Sequence, residues 1–120
     1  MNALIVDDEE DIGLMVSRFL RKEGLQVSYA DRINMAKEII SDQSFDFYLL
    51  DLHLPDGTGF DLIPKIKEDS SESKVIVISA HDGPDEMKKV RELGVDAFIK
   101  KPFTKGQVME VMSDLGNNAF

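Results

Sequence analysis

Residues 45–59 read Phe-Asp-Phe-Tyr-Leu-Leu-Asp-Leu-His-Leu-Pro-Asp-Gly-Thr-Gly, and this stretch decides the fold. Its first part, residues 45–50, is a nearly continuous apolar run of strand length, which is typical of a strand buried on both faces of a parallel sheet. Asp51 follows at once, and a turn with one proline and two glycines comes next. The stretch therefore predicts a buried strand that ends in a carboxylate at the edge of a sheet.

Apolar segments of similar length recur along the chain, with helical periodicity between them. The five predicted strands lie at residues 3–6, 25–29, 45–50, 75–78 and 97–99. Strict alternation of strands and helices predicts an α/β fold, a doubly wound five-stranded parallel sheet with five helices. Because 120 residues leave no room for two independent cores, we expect a single domain over residues 1–120.

Residues with known preferences for helix ends mark the boundaries of the helices. Gly24 ends the first helix, and Asp31 is the candidate cap of the second. Pro64 would bend the third helix if it lay beyond the first turn. The remaining signals are Gly83 and Pro84 at the start and Gly94 at the end of the fourth helix, and a capping box of Thr104 and Gln107 at the start of the fifth.

Composition excludes several classes of function. The chain carries 23 acidic and 14 basic residues, a formal charge of -9, which argues against direct binding to nucleic acid or to an anionic membrane. It has no cysteine, which excludes disulfides, thiolate metal sites and cysteine nucleophiles. The first residues show no basic segment followed by a long apolar stretch, so we expect a cytoplasmic location.

Polar side chains follow four of the predicted strands. They are Asp7 and Asp8 after the first strand, Asp51 after the third, Ser79 after the fourth, and Lys100 and Lys101 after the fifth. Because ligands bind beyond the carboxyl ends of the strands in such a sheet, we expect these side chains to converge. Clustered carboxylates repel one another unless a cation neutralises them, and magnesium prefers oxygen ligands of this kind.

Each of these residues also has a plainly structural interpretation. Asp7 and Asp8 are typical of solvated acids before a helix, and Ser79 of a strand-terminal hydroxyl bonded to the backbone. Lys101 is typical of a surface lysine in a loop. Asp51 could simply cap a turn, but it is fixed by a rigid strand, where a carboxylate can act as a nucleophile toward phosphorus.

Four segments resemble the receiver domain of two-component response regulators, and in their order and spacing the resemblance extends over essentially the whole chain. They are residues 4–8, residues 51–55 with Gly59, residues 77–80, and residues 94–103. The resemblance implies a flavodoxin-like sheet in the order 2-1-3-4-5, the order that characterises this family. It also implies that the protein takes a phosphoryl group from a sensor histidine kinase or a histidine phosphotransfer protein.

The resemblance gives each candidate residue a role. Asp51 would be the phosphoacceptor, and Asp7, Asp8, Asp51 and the backbone carbonyl of His53 would hold Mg²⁺, with Mn²⁺ as a substitute. Ser79 and Lys101 would contact the phosphoryl group. Lys101 is preferred over Lys100 because it directly precedes Pro102, and the resemblance favours a cis bond between Lys101 and Pro102.

Three further residues take secondary roles by resemblance. Phe98 would be the switch aromatic, at a position where tyrosine is frequent, so only the packing part of the switch could operate; it could equally be a core residue. His53 and His81 stand two residues after Asp51 and Ser79, where we expect them to tune the lifetime of the phosphoryl group. Both could also be exposed loop histidines without a role.

The predicted partner surface consists of the fourth helix, fifth strand and fifth helix. The basic residues there are Lys88, Lys89, Arg91 and Lys105. Such charges also commonly do no more than keep a helix soluble. The implied partners are the kinase or phosphotransfer protein and a downstream protein or output domain, and phosphorylation could drive dimerisation. The sequence fits a stand-alone regulator and a receiver from a longer protein equally well.

Competing functions fit the sequence less well. A phosphatase of the haloacid dehalogenase type needs a second aspartate two residues after the first, where this chain has His53. A flavodoxin needs a phosphate-binding loop after the first strand, and the acidic residues 7–11 would repel a phosphate there. A receiver-like module that is never phosphorylated stays a minor alternative. We therefore expect a phosphoacceptor regulatory domain, not an enzyme with a separate substrate.

Overall fold

The structure is a computed structural model that describes residues 1–116; residues 117–120 of the predicted domain lie outside the described residues. The strands of the main sheet are β1 (Asn2–Val6), β2 (Gln26–Ala30), β3 (Phe47–Leu50), β4 (Lys74–Ser79) and β5 (Ala97–Lys100). The helices are α1 (Glu10–Lys22), α2 (Ile33–Asp42), α3 (Ile63–Asp69), α4 (Pro84–Glu92) and α5 (Lys105–Leu115). A short antiparallel hairpin (His53–Leu54 with Gly57–Thr58) and a 3₁₀ turn (Gly59–Leu62) lie between β3 and α3.

The five main strands form one parallel sheet in the order β2-β1-β3-β4-β5. This confirms the predicted doubly wound, flavodoxin-like α/β fold. Val6, the last residue of β1, lies beside Ala30 of β2 and Leu50 of β3. The backbone N–H of Asp51 donates to the carbonyl of Val6 (2.8 Å), so β1 and β3 leave the sheet level with each other.

Both faces of the sheet are covered by helices, which explains the continuous apolar runs. Alternate strand residues, such as Leu4 and Leu50, pack under α2, α3 and α4 on one face. Their neighbours, such as Ile5 and Leu49, pack under α1 and α5 on the other. None of the helices within residues 1–116 is long and apolar enough to cross a membrane.

The cap of α2 differs from the sequence prediction. Asp31 does not cap this helix; its carboxylate binds the guanidinium of Arg32 at 3.0 Å. The first backbone N–H groups of α2, those of Ile33 and Asn34, donate instead to the carboxylate of Asp56 (2.7 and 3.0 Å). The prediction for Asp31 was wrong because the cap comes from the turn after β3, far away in the sequence.

The other helix boundaries follow the sequence signals. Pro64 lies in the first turn of α3, where proline is tolerated, so the condition for a bend is not met. The capping box of α5 is confirmed, since the N–H of Gln107 donates to Thr104 Oγ1 (3.1 Å) and the N–H of Thr104 to Gln107 Oε1 (2.8 Å). Gly24 and Gly94 follow α1 and α4 with φ of 91° and 73°, a left-handed conformation that favours glycine.

The turn after β3 folds back onto the end of the strand at Gly59. A Cβ atom on Gly59 would lie 2.1 Å from the carbonyl oxygen of Asp51, which is too short for two atoms that are not bonded to each other. The N–H of Gly59 also donates to the carbonyl of Leu52 (3.0 Å). Residue 59 therefore packs directly against the backbone of Asp51, and only glycine fits at this position.

We expect Gly59→Ala to lower the free energy of unfolding by about 2 kcal/mol or more, because the new methyl group must displace the backbone of Asp51. Gly106→Ala is the matched control, since its Cβ would meet only Thr104 Oγ1 at 3.8 Å. That change lies within α5 and should be neutral or stabilise by up to about 1 kcal/mol. Urea denaturation measures both, and an equal stability of the two variants would contradict the close approach at Gly59.

Candidate functional site

Four carboxylates gather at the carboxyl edge of the sheet. They belong to Asp7, Asp8, Glu9 and Asp51, and one oxygen of each lies within 4.8 Å of the others. Asp7 and Asp51 are only 3% and 6% exposed, because each directly follows a buried strand. A set of hard oxygen donors at this spacing suits a hard divalent cation such as Mg²⁺.

The ammonium group of Lys101 lies among these carboxylates. Its Nζ donates to Asp7 Oδ2 (2.9 Å), Glu9 Oε1 (3.1 Å) and Asp51 Oδ2 (3.2 Å), and its side chain is only 9% exposed. One cation thus joins the ends of β1, β3 and β5. The peptide bond between Lys101 and Pro102 is cis.

The neighbouring Lys100 behaves differently. Its side chain points to the exposed carboxylate of Asp82 (3.2 Å), and it makes no contact with the acidic cluster in the part of the chain that is described. The geometry therefore separates two adjacent lysines that composition alone could not distinguish.

The electrostatics of the cluster follow from burial and opposite charge. Burial raises the pKa of Asp7 to about 6, although the N–H of Glu9 and the ammonium of Lys101 both act to lower it. Burial alone would lower the pKa of Lys101, but the hydrogen bond and charge of Asp7, followed by the charge of Asp51, raise it above its usual range. Lys101 therefore remains charged.

Two residues of the site were not predicted. Glu9 belongs to the acidic run 7–11, but that run does not indicate which of its members turn toward Lys101. Tyr29, at the end of β2, donates its hydroxyl to the backbone carbonyl of Asp7 at 2.5 Å. Burial and the charge of Asp7 raise the pKa of Tyr29 to about 12, so the hydroxyl remains a donor at neutral pH. Only its position at a strand end could have signalled this contact.

Ser79 and Phe98 lie near the cluster but do not join it. Ser79 is fully buried, and its hydroxyl oxygen accepts a hydrogen bond from the N–H of His81 (3.1 Å), as expected for a strand-terminal serine. Phe98 is half-buried and packs against the apolar cluster under α4. The two residues lie on adjacent strands, since Ser79 pairs with Lys100, two positions beyond Phe98.

His53 and His81 come together above the acidic cluster. Both are exposed, and their ring centroids are 3.9 Å apart with the planes tilted by 52°. A cleft opens between them and the acids. It is lined by Asp8, Glu9, Asp51, His53, Ala80, His81 and Lys101.

Two of the four basic residues of the predicted partner surface lie against different parts of the molecule. Lys89 Nζ lies 5.6 Å above the ring of Phe60, toward the 3₁₀ turn. Lys105 Nζ lies 5.6 Å above the ring of Phe19 in α1. These two lysines therefore do not share one contact site.

Comparison with known families and structures identifies the family to which this fold belongs. The family model of the response regulator receiver domain matches residues 3–113. The chain belongs to this family. It is a receiver domain of two-component signal transduction, a regulatory domain of the phosphoacceptor kind. Neither the phosphatase nor the flavodoxin alternative is supported.

Relatives of this receiver domain include whole regulators and isolated domains. It is 32% identical to the response regulator protein PilR of Pseudomonas aeruginosa over 92% of its own length, but spans only 25% of PilR. It is 28% identical to the sporulation initiation phosphotransferase F of Bacillus subtilis, covering 91% of this chain and 88% of that protein. The non-phosphorylated HemR receiver domain of Leptospira biflexa superposes with a TM-score of 0.87 at 31% identity, covering 95% and 92% of the two chains.

We expect Lys101→Met to lower the free energy of unfolding at pH 7 by about 3 kcal/mol, because buried carboxylates lose their counter-charge. The loss should shrink at pH 5. Lys101 acts to lower the pKa of Asp7, so in the folded variant this pKa rises above about 6. Asp7 then takes up a proton in the folded variant as the pH falls to 5, which removes one uncompensated charge and returns part of the lost stability.

Lys100→Met is the matched control. Its ion pair is exposed, and its removal should cost less than about 1 kcal/mol at either pH. Chemical denaturation at both pH values provides the measurement. A loss for Lys101→Met that does not depend on pH would show that the cost does not come from the uncompensated carboxylates.

Proposed function

We propose that this receiver domain accepts a phosphoryl group on Asp51 from a sensor histidine kinase or a histidine phosphotransfer protein. The observation that carries the proposal is the position of Asp51, a nearly buried carboxylate at the end of a central strand with the ammonium of Lys101 3.2 Å away. Three more carboxylates lie within reach of a shared cation. A capped turn or a solvated loop would need none of these neighbours.

The donor set suits the divalent ion that the family implies. Asp7, Asp8, Asp51 and the backbone carbonyl of His53 would hold Mg²⁺, or Mn²⁺ as a substitute, through oxygen atoms alone. Glu9 adds negative charge beside them. When bound, the ion supplies positive charge that orients the donor and stabilises the charge that develops on the phosphoryl oxygens.

The residues of the chain supply the remaining parts of the transfer. A carboxylate oxygen of Asp51 forms the new bond to phosphorus while the bond from phosphorus to the donor histidine nitrogen breaks. Lys101 remains charged and places its ammonium against a phosphoryl oxygen. The rigid end of β3 and the close approach of Gly59 hold Asp51 in place, so little reorganisation accompanies the attack.

The positions of Ser79 and Phe98 on adjacent strands support a conformational switch. The hydroxyl of Ser79 would turn from the N–H of His81 toward the phosphoryl group, and Phe98 would fill the space behind it. Because Phe98 has no hydroxyl, the change consists of packing alone. It would alter the surface of α4, β5 and α5, which we assign to a downstream protein or an output domain.

The remaining assignments follow from the family and stay proposals. The domain would catalyse only its own phosphorylation and dephosphorylation, would bind neither nucleic acid nor membrane directly, and would act in the cytoplasm. A dimer formed on phosphorylation would use the same surface of α4, β5 and α5.

Exposure to acetyl phosphate with Mg²⁺ should add one phosphoryl group to the wild type, as measured by intact mass. The adduct should disappear when the metal is chelated, because four clustered carboxylates otherwise repel the donor. Asp51→Asn should take up none, since an amide is not a nucleophile of this kind.

Asp46→Asn is the matched control for that experiment. Asp46 lies just before the same strand at its opposite end, where its carboxylate accepts a hydrogen bond from the N–H of Asn2 (2.9 Å) that an amide oxygen can also accept. Its phosphorylation should equal that of the wild type. An adduct that persists in Asp51→Asn would place the acceptor elsewhere.

Replacing both His53 and His81 with alanine should speed dephosphorylation by roughly 3- to 10-fold, because the paired rings limit the access of water to the cleft. Loss of phosphate from the purified phosphoprotein gives the rate. Lys100→Met, outside the cleft, should keep the wild-type rate. An unchanged rate in the double variant would remove both histidines from the mechanism.

A further inference from the structure

We propose that Tyr29 is a positioning residue for metal binding, which fixes the backbone between Asp7 and Asp8 through its hydroxyl, and that Gly13 provides the space for its ring. The inference rests on the proposed function, because it assigns a residue to the same metal site. Tyr29 itself contributes no ligand. It acts through the carbonyl group to which it donates a hydrogen bond.

The hydrogen bond of Tyr29 is made to the peptide unit between Asp7 and Asp8, two of the proposed metal ligands. The hydroxyl of Tyr29 donates to the carbonyl oxygen of Asp7 at 2.5 Å, and the N–H of Asp7 donates to the carbonyl of Ala30 at 3.1 Å. The carbonyl of Asp7 belongs to the peptide unit that joins Asp7 to Asp8. Because that unit is planar, fixing its carbonyl fixes the direction in which the chain enters Asp8.

The side chain of Asp7 is held as well. Its Oδ1 accepts a hydrogen bond from the N–H of Glu9 (2.8 Å), and its Oδ2 accepts one from Lys101. Asp8, in contrast, is exposed and lies between Asp7 and Glu9, which the first of these hydrogen bonds holds together. The orientation of its carboxylate therefore depends on the backbone, to which the Tyr29 hydroxyl donates a hydrogen bond at Asp7.

Gly13 shows how closely the tyrosine ring fits against α1. A Cβ atom on Gly13 would lie 2.2 Å from Cε1 of Tyr29, 2.8 Å from Cδ1 and 2.9 Å from Cζ. Glycine inside a helix is less stable than alanine there, so α1 is weakened at the residue that the ring crosses. The hydroxyl of Ser17, one turn later, donates to the carbonyl of Gly13 (2.7 Å).

Tyr29→Phe tests the hydroxyl alone, because the ring and its packing against Gly13 remain. We expect the Mg²⁺ concentration that gives half the maximal rate of phosphorylation by acetyl phosphate to rise about 3- to 10-fold, the usual effect of one lost hydrogen bond. The rate at saturating Mg²⁺ should stay within about twofold of the wild type, since a sufficient metal concentration restores the bound state. Calorimetric titration with MgCl₂ should show the same fold-change in Kd.

Tyr48→Phe is the matched control. The Tyr48 hydroxyl is also hydrogen-bonded, accepting from the N–H of Phe45 (3.0 Å), but it lies near the start of β3, away from the acids. Its removal should leave the Mg²⁺ requirement unchanged. If Tyr29→Phe lowers the melting temperature as Tyr48→Phe does and leaves the Mg²⁺ requirement at the wild-type value, Tyr29 is a structural residue only and the proposal is wrong.

Two further variants separate the ring from the helix. Gly13→Ala should raise the Mg²⁺ requirement, because the added methyl group displaces the ring of Tyr29. Combining it with Tyr29→Ala removes the collision, so thermal stability should recover while the Mg²⁺ requirement stays high. Recovery of the wild-type Mg²⁺ requirement in the double variant would contradict the positioning role.

Calorimetric titration with MgCl₂ distinguishes a failure of this proposal from a failure of the proposed function. If the wild type binds Mg²⁺ but takes up no phosphoryl group, the proposed function fails, and the Kd values of Tyr29→Phe and Tyr48→Phe still decide the role of Tyr29. If the wild type does not bind Mg²⁺ at all, both proposals are overturned.

Discussion

The structure depends on one buried ionic interaction, that of the Lys101 ammonium with the carboxylates of Asp7 and Asp51. Removing three charges from water is costly, and the cost is offset only when the opposite charges are brought within hydrogen-bond distance. That condition can be met only if the ends of β1, β3 and β5 lie at the same level of the sheet. The parallel register, in which Val6 lies beside Leu50, meets the requirement. The strand register that builds the sheet therefore also brings the charged residues of the site together.

Much of the fold and most of the residues of the site could be predicted from the sequence. The apolar runs identify the strands because both faces of a parallel sheet are buried, and the position after each strand then identifies Asp7, Asp51 and the lysine pair 100–101 as neighbours. Period and length alone carry that information. Lys101 and Lys100 could be separated only by the resemblance to a family, since nothing in the chemistry of two adjacent lysines distinguishes them.

The remaining features depend on contacts between residues distant in sequence. Asp31 has the residue type and position of a helix cap, yet α2 takes its cap from Asp56, because the turn after β3 places that carboxylate within hydrogen-bond distance of the first N–H groups of the helix. Tyr29 reads as an ordinary strand residue, and its contact with Asp7 appears only once β2 lies beside β1. A local rule states what a residue prefers, and the packing decides which candidate is used.

The cap that Asp56 provides has a consequence for how such a chain can vary. The first turn of α2 is closed by a residue of the very loop that follows the acceptor strand, so the two segments form a clasp across one flank of the molecule. A loop of this kind cannot be lengthened or shortened freely, because one inserted residue would carry the carboxylate away from the helix that it closes. Evolution can therefore exchange side chains in this loop more readily than it can change its length.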